Sequence, residues 1–146
     1  MDQIKRAWYG LMAENSLLKK CEQEYEDFFC SLMQAIHSDN FQPVKAAGSE
    51  GDGKADGYLV TEQCVFQSYA PSSGFKKSPL LKKIEGDFFG AVTKWGDNIA
   101  KWVFVHNDAE GLPKYAIDLI EKLKKDHPNI TISSWGPERT LTTHPN

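Results

Sequence analysis

The spacing of hydrophobic residues predicts three main helices. Residues 22–38, 79–97 and 116–125 each carry apolar side chains one helical turn apart. Each pattern leaves one apolar face, which is typical of a helix packed on a sheet. A shorter helical pattern in residues 1–20 precedes them. It fits either a helix packed on the domain or a surface for a partner.

Short runs of β-branched and aromatic residues predict five strands among these helices, at 41–46, 58–61, 64–69, 102–106 and 130–134. The run at 102–106 is almost wholly apolar, which is typical of a strand buried on both faces. Pro43 indicates an edge or a bulge in the first strand, because proline lacks the N–H that a ladder needs. The order of elements predicts an α/β fold with an antiparallel hairpin first and a right-handed β-α-β unit after it.

The composition is that of one globular domain. The chain has 146 residues, of which 40% are hydrophobic and 12% aromatic, enough to bury a core. Its net charge of −3 excludes a global attraction to nucleic acid, so any such contact needs a local basic patch. The three cysteines lie far apart without a C-x-x-C pair, which argues against a zinc site or a disulfide framework. We therefore expect a cytoplasmic protein with neither a membrane span nor a signal peptide.

Residues 48–71 are the stretch richest in candidate chemistry. Four glycines between positions 48 and 57 predict a tight turn that leads into the hairpin. Asp56 stands at the start of the first hairpin strand, whereas Gln67 and Tyr69 share one face of the second, because side chains alternate along a strand. An acid facing two polar groups across a hairpin predicts a metal or phosphate site.

Two other interpretations of this turn compete with a metal or phosphate site. Glycine and aspartate also make good turns that carry no chemistry, and Asp52 suits such a turn-stabilising role. A calcium loop fits poorly, because Lys54 and Gln63 stand where that loop needs oxygen ligands and a bidentate glutamate.

Further candidates lie on the helices and at the end of the buried strand. Glu26 falls on the flank of the apolar face of helix 22–38, from which it could reach a site on the sheet. Four lysines before and within helix 79–97 form a candidate contact with nucleic-acid phosphates, or a solvated basic face: Lys76, Lys77, Lys82 and Lys83. His106 and Asn107 end the buried strand, either as a substrate edge or as a polar pair that caps it.

The element order and the hairpin residues resemble the restriction-endonuclease-like fold of the PD-(D/E)xK nuclease superfamily. The segments GDGKADGYL, FQSYAP, KIEGDFFGAV, KWVFVHND and SSWGPE are similar to a nuclease-like domain of prokaryotic antiphage systems. This resemblance implies a central mixed sheet with an N-terminal antiparallel hairpin and flanking helices. It divides the chain into an N-terminal helical segment (1–20), a nuclease-like domain (21–141) and a tail (142–146).

The resemblance also implies roles for individual residues. Glu26, Asp56 and Gln67 would be ligands of Mg²⁺ or Mn²⁺, and Gln67-Ser68-Tyr69 would stand at the (D/E/Q)-x-K motif. Tyr69 replaces the lysine of that motif and carries no charge at neutral pH. Lys54, in the preceding turn, is a candidate for the missing cation, so the implied catalytic set is Asp56, Gln67, Tyr69 and Lys54.

Two functions follow from these observations. The first is a metal-dependent DNA endonuclease that acts as an effector in bacterial antiphage defence. The second is a nuclease-fold module that has lost catalysis and serves as a sensor or assembly subunit of a defence complex. The substitution of tyrosine for lysine favours the second, and the acidic constellation with its nearby lysines favours the first. The sequence leaves the trigger, the oligomeric state and the choice between DNA and RNA open.

Overall fold

The computed structural model of the protein describes residues 22–44 and 57–137, which form three helices and five strands. In chain order these are α1 (Glu22–His37), β1 (Phe41–Pro43), β2 (Gly57–Leu59), β3 (Cys64–Tyr69), α2 (Lys77–Trp95), β4 (Lys101–His106), α3 (Lys114–Asp126) and β5 (Thr131–Trp135). The predicted order of elements is confirmed. The segments 1–20 and 142–146, and residues 45–56, which include Lys54 and Asp56, lie outside the described residues.

The strands form one mixed sheet in the order β1-β2-β3-β4-β5. The pairs β1–β2 and β2–β3 are antiparallel, whereas β3–β4 and β4–β5 are parallel. This confirms an α/β sheet that begins with an antiparallel hairpin. It also places β4 inside the sheet between two parallel neighbours, as the apolar run at 102–106 predicts.

Helices cover both faces of the sheet. On one face α1 packs against strand residues that include Phe66 and Val103. On the other face α2 and α3 pack against residues that include Val65, Trp102 and Phe104. Side chains alternate along β3, so its even-numbered residues point toward α1 and its odd-numbered residues toward α2 and α3. This division decides where the polar residues of β3 can act.

The hairpin turn differs from the prediction, because β2 ends at Leu59 and a 3-10 turn spans Val60–Glu62. Gln63 then takes the left-handed conformation with φ 51°. Its carbonyl oxygen accepts hydrogen bonds from the N–H groups of Ala100 at 2.8 Å and Lys101 at 3.2 Å. These hydrogen bonds connect the turn between β2 and β3 to the start of β4. They fix the register of the hairpin against the parallel strands.

Candidate functional site

A cleft of about 370 Å³ opens at the end of β3. Within the described residues the β2–β3 pairing stops at Gly57 and Phe66, so the last part of β3 lies beyond that ladder. The cleft is bounded by α1, the end of β3, the loop that follows it and α2. Its lining includes Gln23, Glu26, Ser68, Tyr69, Ser72 and Lys83. Two residues of the predicted site, Glu26 and Tyr69, therefore meet at one opening.

Glu26 presents a partly exposed carboxylate to this cleft. Its Oε1 accepts a hydrogen bond from Gln23 Nε2 at 3.1 Å, one turn earlier on α1. The same amide also donates to Asp27 Oδ1 at 2.8 Å. A carboxylate has more acceptor sites than this one hydrogen bond uses, so Glu26 can accept a further ligand.

Lys83 brings a positive charge to the cleft from α2. Its Nζ lies 5.9 Å from the centroid of the Tyr69 ring and 3.2 Å from Oδ2 of Asp87, which is buried. An ammonium over an aromatic face is attracted by the ring quadrupole, and the nearby carboxylate holds it in place. Sequence reasoning grouped Lys83 with exposed lysines. The signal it missed was the four-residue spacing from Lys83 to Asp87, one helical turn.

Gln67 is buried in the interior of the protein, away from the cleft. Its Oε1 accepts a hydrogen bond from Trp102 Nε1 at 2.5 Å, and both side chains are fully buried. Trp102 belongs to the core under α2 and α3, whereas Glu26 is carried by α1 on the opposite face. The structure therefore does not bring Gln67 and Glu26 to one point. Tyr69 shares the face of Gln67 but reaches the cleft because it is the last residue of β3.

The position of the two turn residues stays a prediction. Asp56 and Lys54 lie outside the described residues, and the described neighbour of Asp56 is Gly57, which pairs with the residue before Gln67. In residues 22–44 and 57–137, no group of three or more histidine, cysteine, aspartate or glutamate side chains is arranged to hold a metal ion. Among the described residues that line this cleft, Glu26 is the one acidic side chain.

The four lysines of the basic cluster do not share one face of α2. Lys76, Lys77 and Lys82 are exposed, whereas Lys83 is half-buried. Lys77 Nζ lies 5.7 Å from the centroid of the Tyr115 ring on α3. The cluster thus divides into one lysine at the cleft, one directed to α3, and two, Lys76 and Lys82, on the solvent side.

Comparisons with models of known protein families, with curated proteins and with solved structures find no match. The resemblance to PD-(D/E)xK nucleases therefore depends on the residue pattern and the order of elements. None of the helices in the described ranges is both long and apolar enough to cross a membrane.

Proposed function

We propose that the cleft between α1, β3 and α2 binds the DNA backbone and hydrolyses a phosphodiester bond with the help of Mg²⁺ or Mn²⁺. One observation carries this proposal: the carboxylate of Glu26, the ring of Tyr69 and the ammonium of Lys83 line a single cleft at the end of β3. A phosphate there would have both an acid and a cation within its surroundings. The resemblance to antiphage nuclease-like domains supports a role as an effector in a multi-component bacterial defence system.

Lys83 and Tyr69 would act on the phosphate directly. A lysine ammonium is a compact point charge that contacts non-bridging phosphate oxygens, and Lys83 is already ordered by Asp87. The phenol group of Tyr69 can donate a hydrogen bond to a phosphate oxygen but does not supply the positive charge of a lysine. In this proposal Lys83 therefore supplies the cation that the motif lysine supplies in the superfamily, and Tyr69 orients it.

The metal would be held by carboxylates rather than by Gln67. Magnesium takes oxygen ligands and binds through one or two carboxylates while it keeps several waters. Glu26 fits this requirement as an accessible carboxylate, and Asp56 is the proposed second ligand. Gln67 does not fit, because its oxygen is buried and accepts the Trp102 indole N–H. A bound ion lowers the pKa of a water ligand and offsets charge on the phosphate.

A second candidate function is a nucleic-acid-binding module that has lost catalysis. The engagement of Gln67 with Trp102 favours it, because this bond removes one of the three expected ligands from the site. In that case Lys83 and the exposed lysines Lys76 and Lys82 still contact phosphates. The protein then acts as a sensor or assembly subunit that binds DNA without cutting it.

Cleavage by matched variants tests the catalytic proposal. We expect wild-type protein to cut double-stranded DNA only with Mg²⁺ or Mn²⁺, and Glu26→Gln and Asp56→Asn to abolish cleavage. Glu24→Gln, on the exposed side of the same helix, is the control and should cut normally. Glu26→Gln protein that is folded and cuts at the wild-type rate would rule out this cleft as the active site.

Binding measurements separate the two functions. Lys83→Gln should weaken DNA binding and, in the catalytic case, lower cleavage by about tenfold or more, because it removes charge stabilisation of the phosphate. Changing Lys76 and Lys82 together to Glu should flatten the dependence of binding on salt, since fewer counterions are released. DNA binding that is sensitive to Lys83 in a wild-type protein that never cuts would establish the binding module. DNA affinity that does not change when any of these three lysines is substituted would refute both functions at this surface.

A further inference from the structure

A second cleft, of about 500 Å³, lies at the carboxyl ends of β4 and β5. None of its lining residues is shared with the cleft at Glu26 and Lys83. Its lining includes His106, Asp108, Glu110, Leu112, Ser134 and Gly136. In sheets of parallel strands, ligands bind outside the carboxyl ends of the strands, which is where this cleft opens.

His106 forms the buried wall of the second cleft. The Tyr25 hydroxyl donates a hydrogen bond to its carbonyl oxygen at 2.5 Å, and the N–H of Asp108 donates to its Nδ1 at 3.2 Å. Because Nδ1 accepts a hydrogen bond, the proton of the neutral imidazole resides on Nε2. Burial lowers the pKa of His106 to about 4, against the opposing effect of Asp108, so the ring is neutral at physiological pH.

The Nε2 edge of the His106 ring lies beside Gly136, and both residues line the cleft. A Cβ placed on Gly136 would lie 3.2 Å from Cε1 and 3.5 Å from Nε2, so this edge faces the glycine. Within the described residues Nε2 has no hydrogen-bond partner. A donor whose tautomer is fixed by the Asp108 N–H therefore lies beside a glycine that lines the cleft.

The rest of the lining is mainly acidic and apolar, with Ser134 as a further polar residue. Asp108 Oδ1 accepts a hydrogen bond from the N–H of Glu110 at 2.8 Å, which orders the loop after β4. Both carboxylates line the cleft, together with Leu112 and Ile117. Two negative charges disfavour an anionic ligand. A suitable ligand is uncharged, with a hydrogen-bond acceptor for Nε2–H and a donor for a carboxylate.

We propose that the second cleft binds an amino-bearing nucleobase, adenine or cytosine. Its ring nitrogen would accept a hydrogen bond from His106 Nε2–H, and its exocyclic amino group would donate to the carboxylate of Asp108 or Glu110. The cleft volume lies in the range of small-ligand pockets. Uracil and thymine carry a carbonyl oxygen where cytosine carries the amino group, and that oxygen would face the carboxylates without a donor. This inference is independent of the proposed phosphodiester chemistry.

Nucleoside titrations followed by NMR test the inference on the full chain. We expect adenosine and cytidine to bind and to shift the Nε2 nitrogen resonance of His106, and uridine to bind about tenfold more weakly or less, because it leaves a buried polar group unpaired. Glu110→Gln should reduce the preference for cytidine over uridine. Glu121→Gln, on the exposed side of α3, is the control and should leave it unchanged.

Two variants probe the donor itself. His106→Phe keeps a flat ring but removes the N–H, and we expect adenosine affinity to fall about fivefold or more. Gly136→Ala narrows the cleft beside Cε1 and should lower the affinity even if His106→Phe does not fold. Equal affinity of wild-type protein for the three nucleosides would overturn the inference. So would the absence of any shift at His106 with about 10 mM adenosine.

Discussion

The buried hydrogen bond between Gln67 and Trp102 allows a direct test of what residue 67 does. Gln67→Met preserves the length and nearly the volume of the side chain but removes the amide oxygen. Trp102 Nε1 then loses its acceptor at a place where both side chains are fully buried. The thioether sulfur is only a weak acceptor. A buried donor left without a partner costs about 1–3 kcal/mol, so we expect the free energy of unfolding to fall by that amount.

Urea unfolding followed by far-ultraviolet circular dichroism measures this loss. Trp102→Phe removes the donor instead, so the Gln67 oxygen loses this hydrogen bond and the variant should also destabilise the protein. The double variant should lose little more than either single variant, which gives a coupling energy of about 1 kcal/mol or more. Calorimetry of Mg²⁺ binding on the same proteins should show no change, because Gln67 lies on the face opposite Glu26.

One result would contradict a purely structural role for Gln67. If Gln67→Met unfolds at the wild-type urea concentration but no longer binds Mg²⁺, Gln67 is a metal ligand and its bond to Trp102 has no structural weight. The assignment of the metal to Glu26 and Asp56 alone would then be wrong.

Two further predictions concern stability. Gly57→Ala should destabilise by about 2 kcal/mol or more, because its Cβ would overlap Cζ of the buried Phe41 ring. Gly86→Ala should stabilise by about 0.5–1 kcal/mol, because its Cβ would have no neighbouring atom within 4 Å and alanine favours the helix. Thermal unfolding of the pair checks both signs, and equal effects would contradict the packing of Phe41. Burial lowers the pKa of His106 from 6.5 to about 4. The neutral ring therefore contributes fully to the free energy of unfolding above pH 6.5. This contribution is lost as the pH falls toward 4, by about 3 kcal/mol, because the unfolded chain binds the proton first. A stability difference between wild type and His106→Phe that does not change over this range would contradict it.

The order and type of the elements could be predicted because hydrophobic periodicity is a local property. The strand Cys64–Tyr69 has the bounds that its apolar and aromatic run indicates, and the interior position of β4 follows from its apolar side chains. The end of β2 could not be predicted in the same way. It depends on the left-handed conformation of Gln63 and on hydrogen bonds from Ala100 and Lys101, which lie far along the chain.

The candidate site shows the same division between local and long-range information. Strand alternation correctly predicts that Gln67 and Tyr69 share a face. It cannot tell which helix covers that face, and α1, which carries Glu26, packs on the other one. Gln67 therefore lies on the face of the sheet opposite the helix that carries Glu26, which local sequence patterns do not reveal. The sequence also suggested no special role for Trp102, since an indole in an apolar run indicates only a core residue.

In the resemblance to PD-(D/E)xK nucleases Tyr69 stands where the motif has lysine, and this difference is weaker support for a loss of catalysis than the motif alone suggests. A motif counts residues along one strand, whereas a phosphate responds to whichever charges surround it in space. Lys83 reaches the cleft from α2, and its ammonium lies over the very ring that replaces the lysine. Because Asp87 holds this ammonium, the charge is positioned before any substrate arrives. The choice between nuclease and binding module therefore depends on the acids, Glu26 and Asp56, rather than on position 69.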